Sequence, residues 1–106
     1  MTSKKYDQHT AVSALLRGET IPDDWMVKLA KVERLYLGGN QIVDPSAIAA
    51  LTGLEMLDLS DNRIVDPSFL AALTGLEMLY LGSNQIVDPS SLAALREALP
   101  GTKIIA

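Results

Sequence analysis

Three asparagines are the first side chains in this sequence whose type and spacing could carry chemistry. Asn40, Asn62 and Asn84 lie 22 residues apart in a chain of 106 residues. A row of amides could form a polar binding site, because each amide both donates and accepts hydrogen bonds. A buried amide must instead satisfy those groups within the protein, and its role is then structural. The spacing alone leaves both interpretations open.

Three aspartates, Asp44, Asp66 and Asp88, repeat with the same spacing. Stacked carboxylates can bind calcium. Each of these aspartates, however, is followed directly by a proline. Aspartate is a favoured helix N-cap, and proline is tolerated at the first helical position, where its missing N–H has no partner. We therefore predict that the three aspartates begin helices, and we predict no metal site.

The sequence offers no catalytic group in a recognisable arrangement. His9 is the only histidine, and it lies in a polar stretch without a serine, cysteine or paired carboxylate at a catalytic spacing. We expect it on the surface. The phosphate-binding, nucleophile-elbow and zinc-protease motifs are also absent from the sequence. We predict that the protein is not an enzyme and that it has no cofactor.

The residues around the second asparagine predict the elements of one repeating unit. Residues 57–59 alternate apolar, polar and apolar, which is the two-residue period of a short strand with one buried face. A turn should follow over residues 60–62. A helix is expected over residues 67–73, and Gly75 should end it in the left-handed conformation.

This unit occurs three times, over residues 32–53, 54–75 and 76–97. One copy buries too few side chains to be stable alone, so we expect stability to come from stacking of neighbouring copies. Six apolar columns should form the shared core: Val32/Leu54/Leu76, Leu35/Leu57/Leu79, Leu37/Leu59/Leu81, Ile42/Ile64/Ile86, Ile48/Leu70/Leu92 and Leu51/Leu73/Leu95.

The two ends depart from the repeat. Residues 1–31 lack the strand pattern and are expected to form an N-terminal helical cap. Within the cap, Trp25 aligns with Phe69 of the second repeat, and we expect both in the core beside the helices. Residues 98–106 should form a half repeat with a last strand whose outer edge is exposed. We predict a single domain over residues 1–106.

The complete pattern is L-x-x-L-x-L-x-x-N-x-I followed by D-P-S-x-L-A-A-L-T-G-L. It resembles the 22-residue class of leucine-rich repeats, and it is similar to repeats of bacterial internalins and of the phosphatase-1 regulatory subunit. The resemblance implies an α/β fold, a right-handed solenoid with a parallel sheet on its concave face and short helices on its convex face. It also implies that Asn40, Asn62 and Asn84 point inward and bond to turn backbone, and that the concave face binds another protein.

The outward side chains of the predicted strands would lie side by side on that concave face. Tyrosine, methionine and arginine are enriched in protein interfaces, so we predict a partner-binding patch. The alternative is that these neighbours only stabilise the sheet. A row of glutamates beside the patch, Glu33, Glu55 and Glu77, would favour a basic partner. The predicted binding residues are Arg34, Tyr36, Met56, Asp58, Met78 and Tyr80, with Gly38, Ser60 and Gly82 as small neighbours.

Charge and composition restrict the partner and the location. The net charge is −4 and the pI is about 4.7, which argues against nucleic acid and against an acidic membrane surface. The chain has no cysteine, and its N-terminal residues lack the apolar stretch of a secretory signal. We therefore expect a cytoplasmic protein.

These observations predict a non-catalytic protein–protein interaction module. The near identity of the repeats leaves a second interpretation open. The chain could be a structural or designed consensus scaffold without its own partner, self-associating through its C-terminal edge strand. Both interpretations are compatible with a monomer or a weak homodimer.

Overall fold

The computed structural model describes residues 5–106. The first four residues of the predicted cap, where the sequence lacks the apolar stretch of a secretory signal, lie outside this range. In chain order, the elements are α1 (Gln8–Leu16), α2 (Asp23–Leu29), β1 (Arg34–Tyr36), a first 3₁₀ helix (Ser46–Ala50), β2 (Met56–Asp58), a second 3₁₀ helix (Ser68–Ala72), β3 (Met78–Tyr80), α3 (Pro89–Ala98) and β4 (Lys103–Ile105).

The four strands form one open parallel sheet in the order β1-β2-β3-β4. Met56 pairs with Met78, 22 residues later, so each repeat places one strand beside the previous one. Met78 pairs with Lys103, 25 residues later, because the full α-helix α3 replaces a shorter 3₁₀ helix in that connection. The sheet has no closing pair, and the molecule measures 51 × 25 × 17 Å. The predicted α/β solenoid is confirmed.

One continuous core runs along the stack behind the sheet. Strand residues of the predicted columns, such as Leu57 and Leu79, are fully buried, and so are the helix-side residues Leu70 and Leu73. The columns are less complete at the ends, where Val32, Ile86 and Leu92 are only half-buried. Each repeat therefore depends on its neighbours for burial, as stacking requires.

The helices of the first two repeats differ from the prediction. They are 3₁₀ helices of five residues, and they begin after the prolines rather than at them. A 3₁₀ helix rises about 2.0 Å per residue against about 1.5 Å for an α-helix. Five residues therefore reach further along the short return to the next strand. Only in the last repeat is the helix α-helical with proline at its first turn.

The three aspartates nevertheless make one shared contact. The Oδ1 atoms of Asp44, Asp66 and Asp88 each accept a hydrogen bond from the backbone N–H two residues later, at 2.9–3.0 Å. Asp88 is the N-cap of α3, and its hydrogen bonds from the Ser90 hydroxyl and backbone lower the pKa of its carboxyl. Bonds from Ser68 lower the pKa of Asp66 in the same way.

Two positions behind the sheet correct the sequence-based expectations. Gly75 does not adopt the left-handed conformation; among the described glycines only Gly18 and Gly39 have positive φ. Phe69 is 50% exposed, whereas Trp25 is buried. Trp25 is covered in part by Tyr6, whose ring lies edge-on to it at 5.6 Å, and within residues 5–106 no comparable ring packs on Phe69.

Asn62 forms the most extensive side-chain hydrogen-bond set within the described residues. Its Oδ1 accepts from the backbone N–H groups of Asn40 (3.0 Å) and Ile42 (2.9 Å). Its Nδ2 donates to the carbonyls of Leu37 and Leu59, at 3.0 Å each, and to the Ser60 carbonyl. The side chain thus joins the strand ends of two neighbouring repeats. Asn84 repeats this arrangement one repeat later, bonding to the Leu59 and Leu81 carbonyls.

Asn40 departs from the inward position that the resemblance implied. It is exposed, and its Nδ2 reaches only the Gly38 carbonyl in its own turn, at 3.3 Å. The physical reason is the N-terminal cap. Asn62 bonds to the strand end of the preceding repeat, but the described residues before β1 form helices α1 and α2 and include no strand.

We predict different costs for two asparagine replacements. Asn62→Ala should lower the free energy of unfolding by about 1–3 kcal/mol, because buried backbone groups of Leu37 and Ile42 lose their partner. Asn40→Ala should change it by less than about 0.5 kcal/mol, since its amide is exposed. Urea denaturation of both variants measures the difference. Equal losses in the two variants would show that the buried hydrogen bonds are not the source of the effect.

A second matched pair tests the approach of α2 to the first repeat. A Cβ added at Gly53 would lie 2.5 Å from the carbonyl oxygen of Ala30, whereas at Gly75 the nearest atom is 3.7 Å away. Gly53→Ala should therefore destabilise by about 1–3 kcal/mol, and Gly75→Ala by no more than about 0.5 kcal/mol. Thermal and urea unfolding check the ranking, and a larger loss for Gly75→Ala would contradict it.

Candidate functional site

Strand pairing places the outward side chains in two straight rows. In each strand a buried side chain stands between two outward ones, which are exposed on β1 and β4 and half-buried on β2 and β3. We call this surface the sheet face; its first row is Arg34, Met56, Met78 and Lys103, and its second row is Tyr36, Asp58, Tyr80 and Ile105. All six residues that the sequence predicted for binding thus lie together on one surface.

The sheet face extends one strand further than the sequence reasoning placed it. Lys103 and Ile105 on β4 continue the two rows, and Ile105 is 39% exposed. The signal was present in the alternation of residues 103–105, where Ile104 is buried between two outward neighbours. Because β4 follows β3 after 25 residues instead of 22, the 22-residue period does not align Lys103 and Ile105 with the two rows.

Side-chain contacts on the sheet face hold two residues of the second row, Tyr36 and Asp58. The Tyr36 hydroxyl donates to the sulfur of Met56 at 3.3 Å. The Oδ1 of Asp58 accepts from the backbone N–H of Ser60 at 2.9 Å and from its hydroxyl at 2.5 Å. Tyr36 is 63% exposed, while Asp58 and Tyr80 are half-buried. The row is therefore accessible to a partner and also partly preorganised.

An acidic row lies at the start of the strands, formed by Glu33, Glu55 and Glu77. All three are exposed. The charge of Glu33 raises the pKa of the central Glu55, as do a hydrogen bond to Glu33, which only protonated Glu55 can donate, and the charge of Glu77. The raised pKa shows that these carboxylates repel one another, so a cation placed beside them would relieve that repulsion.

An open cleft of about 310 Å³ lies between α1 and the turn after β1. His9 lines it, together with Arg17, Asn40 and Asp44. The Arg17 guanidinium is ion-paired to Glu19, and the Asn40 amide is bonded within its own turn. Within residues 5–106, no group of three His, Cys, Asp or Glu side chains could hold a metal.

A column of exposed valines was missed at the sequence level. Val43, Val65 and Val87 precede the three aspartates, and they are 59%, 50% and 84% exposed. Their signal is the repeated I-V-D-P phrase, whose isoleucine is turned toward the core while its valine is not. Nothing in the described part of the chain covers this column.

No helix among residues 5–106 has the length and hydrophobicity needed to span a membrane.

Comparisons with known proteins place the repeats in a family. A family model described as "Leucine Rich repeats (2 copies)" matches residues 52–97, and one described as "Leucine rich repeat" matches residues 17–64. Together the two matches extend over more than half of the chain. The search of curated proteins found no match.

Solved structures show the same fold. An internalin from Listeria monocytogenes has a TM-score of 0.62 and 32% identity, over 79% of this chain and 24% of its own. A leucine-rich-repeat protein of Leptospira interrogans has a TM-score of 0.50 and 27% identity, over 82% of this chain and 28% of its own. The Mex67:Mtr2 subunits of Chaetomium share the fold at 20% identity, with a TM-score of 0.58, over 92% of this chain and 71% of theirs.

This chain therefore spans about a quarter of the length of the internalin it matches. The repeat pattern, the parallel sheet with one strand per repeat, and the two family matches agree with one another. The chain belongs to the leucine-rich-repeat family, and its repeats resemble those of bacterial internalins.

Proposed function

We propose that the chain is a non-catalytic protein-interaction domain that binds its partner through the sheet face. Leucine-rich-repeat domains generally mediate protein–protein interactions, and their families are typically non-enzymatic. The observation that carries the proposal is the second row of the sheet face, in which Tyr36, Asp58 and Tyr80 stand on adjacent strands. These side chains are accessible, and the strands that bear them are held by the core.

The residue types suit an interface better than they suit sheet stabilisation alone. Tyrosine brings a large contact area at low entropic cost and is a frequent anchor of binding energy, and methionine is enriched in interfaces. Here Tyr36 and Tyr80 would be the anchors of the second row. Met56 and Met78, which are half-buried, would provide the apolar centre of the first row. Arg34 would contribute a cation at the β1 end.

Small residues at the end of each strand support close approach of a partner. Gly38, Ser60 and Gly82 follow the second row on β1, β2 and β3. A side chain added at Gly82 would meet only open space. A partner backbone can therefore come near the tyrosines without meeting bulky neighbours.

Electrostatics favour a basic partner. Asp58 and the three glutamates lie on or beside the sheet face, and Arg34 and Lys103 lie at the ends of the first row. The net charge of the chain is −4. Opposite charge on a partner raises the association rate and suppresses acidic competitors. We propose no nucleic-acid or membrane partner, a cytoplasmic location, a monomer or weak homodimer, and one domain whose first 31 residues are its cap.

Three baits test the proposal by pull-down from cells of the source organism. One is wild type. The second carries Tyr36→Ala and Tyr80→Ala on the sheet face. The third is a matched control with Val65→Ala and Phe69→Ala, two apolar side chains that are each 50% exposed away from the sheet face. We expect a partner retained by wild type and control but lost by the second bait, because truncating an interface anchor costs about 2 kcal/mol or more.

The three baits must first show equal unfolding curves. Loss of binding can then be assigned to the replaced surface side chains and not to loss of folding. A partner lost only from the control bait would move the interface to the 3₁₀ helices. Identical retention by all three baits would exclude the sheet face. Three empty lists would favour the alternative, a repeat scaffold without its own partner.

The acidic row predicts a pH-dependent stability. The folded protein raises the pKa of Glu55 above the ordinary value of 4.5, so it binds this proton more tightly than the unfolded chain does. Ionisation of Glu55 therefore opposes folding at neutral pH, and this penalty disappears as the pH falls below 4.5. Glu55→Gln should melt at a higher temperature than wild type at pH 7 and at the same temperature near pH 3.

Glu97→Gln is the control for this measurement. Glu97 is exposed on α3, and its replacement changes the net charge by the same amount without touching the acidic row. Thermal melts over the pH range distinguish the two variants. If Glu97→Gln raised the melting temperature at pH 7 as much as Glu55→Gln does, overall charge would be the cause instead of repulsion within the row.

A further inference from the structure

We propose that Tyr36, Asp58 and Tyr80 form a receptor for one arginine side chain of the partner. This inference rests on the proposed function, because it assigns a chemistry to the sheet face. It goes further by naming the group that is bound: a guanidinium that stacks between two tyrosine rings and donates to a carboxylate. The segment that carries it would be an arginine-bearing polypeptide.

The spacing of the strands fits one planar cation. Asp58 pairs with Tyr36 on one side and with Tyr80 on the other. Neighbouring strands lie about 4.8 Å apart, so the two tyrosines are separated by about 10 Å with the carboxylate at the midpoint. A cation above Asp58 would thus lie about 5 Å from each of the two strands that bear the tyrosines, a separation that a tyrosine side chain can span. Ring faces attract cations within about 6 Å of the ring centroid.

The Asp58 carboxylate has one oxygen free for a ligand. Ser60 occupies Oδ1 with two hydrogen bonds. No hydrogen bond reaches Oδ2 from any described residue, and the ion pair found within residues 5–106 joins Arg17 to Glu19. Oδ1 therefore fixes the orientation of the carboxylate, while Oδ2 keeps its capacity to accept from a donor on a partner.

The turn itself does not require an aspartate at this position. The equivalent turns after β1 and β3 form with Tyr36 and Tyr80 in the place of Asp58. Asp58 also stands between two tyrosines, at the position where the first and third repeats have an aromatic residue. Stabilisation of the turn by Ser60 therefore accounts for how the carboxylate is held but not for why a carboxylate stands between two tyrosines.

A glycine keeps the free oxygen open. A Cβ added at Gly38 would lie 3.7 Å from Asp58 Oδ2 and 3.5 Å from the Ser60 hydroxyl oxygen. Any other residue at this position would place at least its Cβ in van der Waals contact with the carboxylate. With glycine there, a guanidinium can approach Oδ2 from the β1 side, next to the exposed Tyr36 ring.

Neither cation of the sheet face forms an ion pair with Asp58. Arg34 and Lys103 belong to the first row and stand on the outer strands β1 and β4. Arg34 lies diagonal to Asp58, as Met78 does on the other side, but the ion pair found within residues 5–106 joins Arg17 to Glu19. Arginine suits the receptor better than lysine, because its planar group stacks on aromatic rings while its N–H groups donate to a carboxylate.

An NMR titration tests the receptor with a defined probe. The probe is the capped peptide Gly-Ser-Arg-Ser-Gly, and its control has citrulline, a neutral isostere, in place of arginine. We expect saturable shifts of the backbone signals of Tyr36, Asp58 and Tyr80 and of the ring signals of the two tyrosines. A single anchoring side chain should bind with a Kd of about 1–10 mM. The citrulline peptide should bind at least about 10-fold more weakly, which corresponds to about 1.4 kcal/mol.

Two variants complete the test. Asp58→Asn keeps an oxygen for the Ser60 bonds and should weaken arginine-peptide binding at least about 10-fold, or about 1.4 kcal/mol. Glu97→Gln, which removes one charge from α3, should leave the binding unchanged. Absence of shifts at the three residues, or equal binding of the citrulline peptide, would overturn the receptor.

Failure of the receptor can be told from failure of the proposed function. In the pull-down, a partner that is lost from the double-tyrosine bait but fully retained by an Asp58→Asn bait would leave the sheet face as the interface and remove the arginine receptor. A partner retained by both variant baits would remove the interface itself.

Discussion

Every feature of this protein depends on how the strand ends of neighbouring repeats are joined. The backbone leaves the sheet after three residues per strand, so the polar groups of the turn need partners that the sheet does not provide. The buried amide of Asn62 supplies five of them, across two repeats. Asn84 does the same one step later. Because these bonds connect adjacent units, they hold the repeats in one register as well as satisfying the turns.

That register is what makes the sheet face a surface with a definite pattern. With strands held at a constant offset, Tyr36, Asp58 and Tyr80 must stand in line. Leucines of the same strands, such as Leu57 and Leu79, are completely buried on the other side. The outward side chains are therefore carried by strands that cannot shift without opening the core. A partner binding here would spend little free energy on ordering the site.

The sequence predicted most of the fold because its signals are periodic and local. The alternation around Leu57 and the 22-residue spacing of the asparagines were sufficient for the strands, the core columns and the pairing order. The misses have non-local causes. Asn40 is exposed because helices precede β1, and Phe69 is exposed because no described residue covers it as Tyr6 covers Trp25. The 3₁₀ helices form because few residues are available to connect one strand to the next. Helix propensity carries no information about the length of that connection.

The residues of the candidate site could be predicted from the sequence, but the hydrogen bonding and accessibility of its carboxylate could not. Strand alternation suffices to place Asp58 between two tyrosines, yet only the coordinates show which of its oxygens is engaged and that Gly38 leaves the other one open. The second and third repeats are near copies, and they differ where solvent reaches them, including Asp58 against Tyr80 and Ser60 against Gly82. The core columns of these two repeats are identical, since a shortened leucine would leave a cavity between neighbouring repeats. Divergence on the sheet face thus carries no packing cost, and it is the route by which one stable repeat can acquire a specific partner.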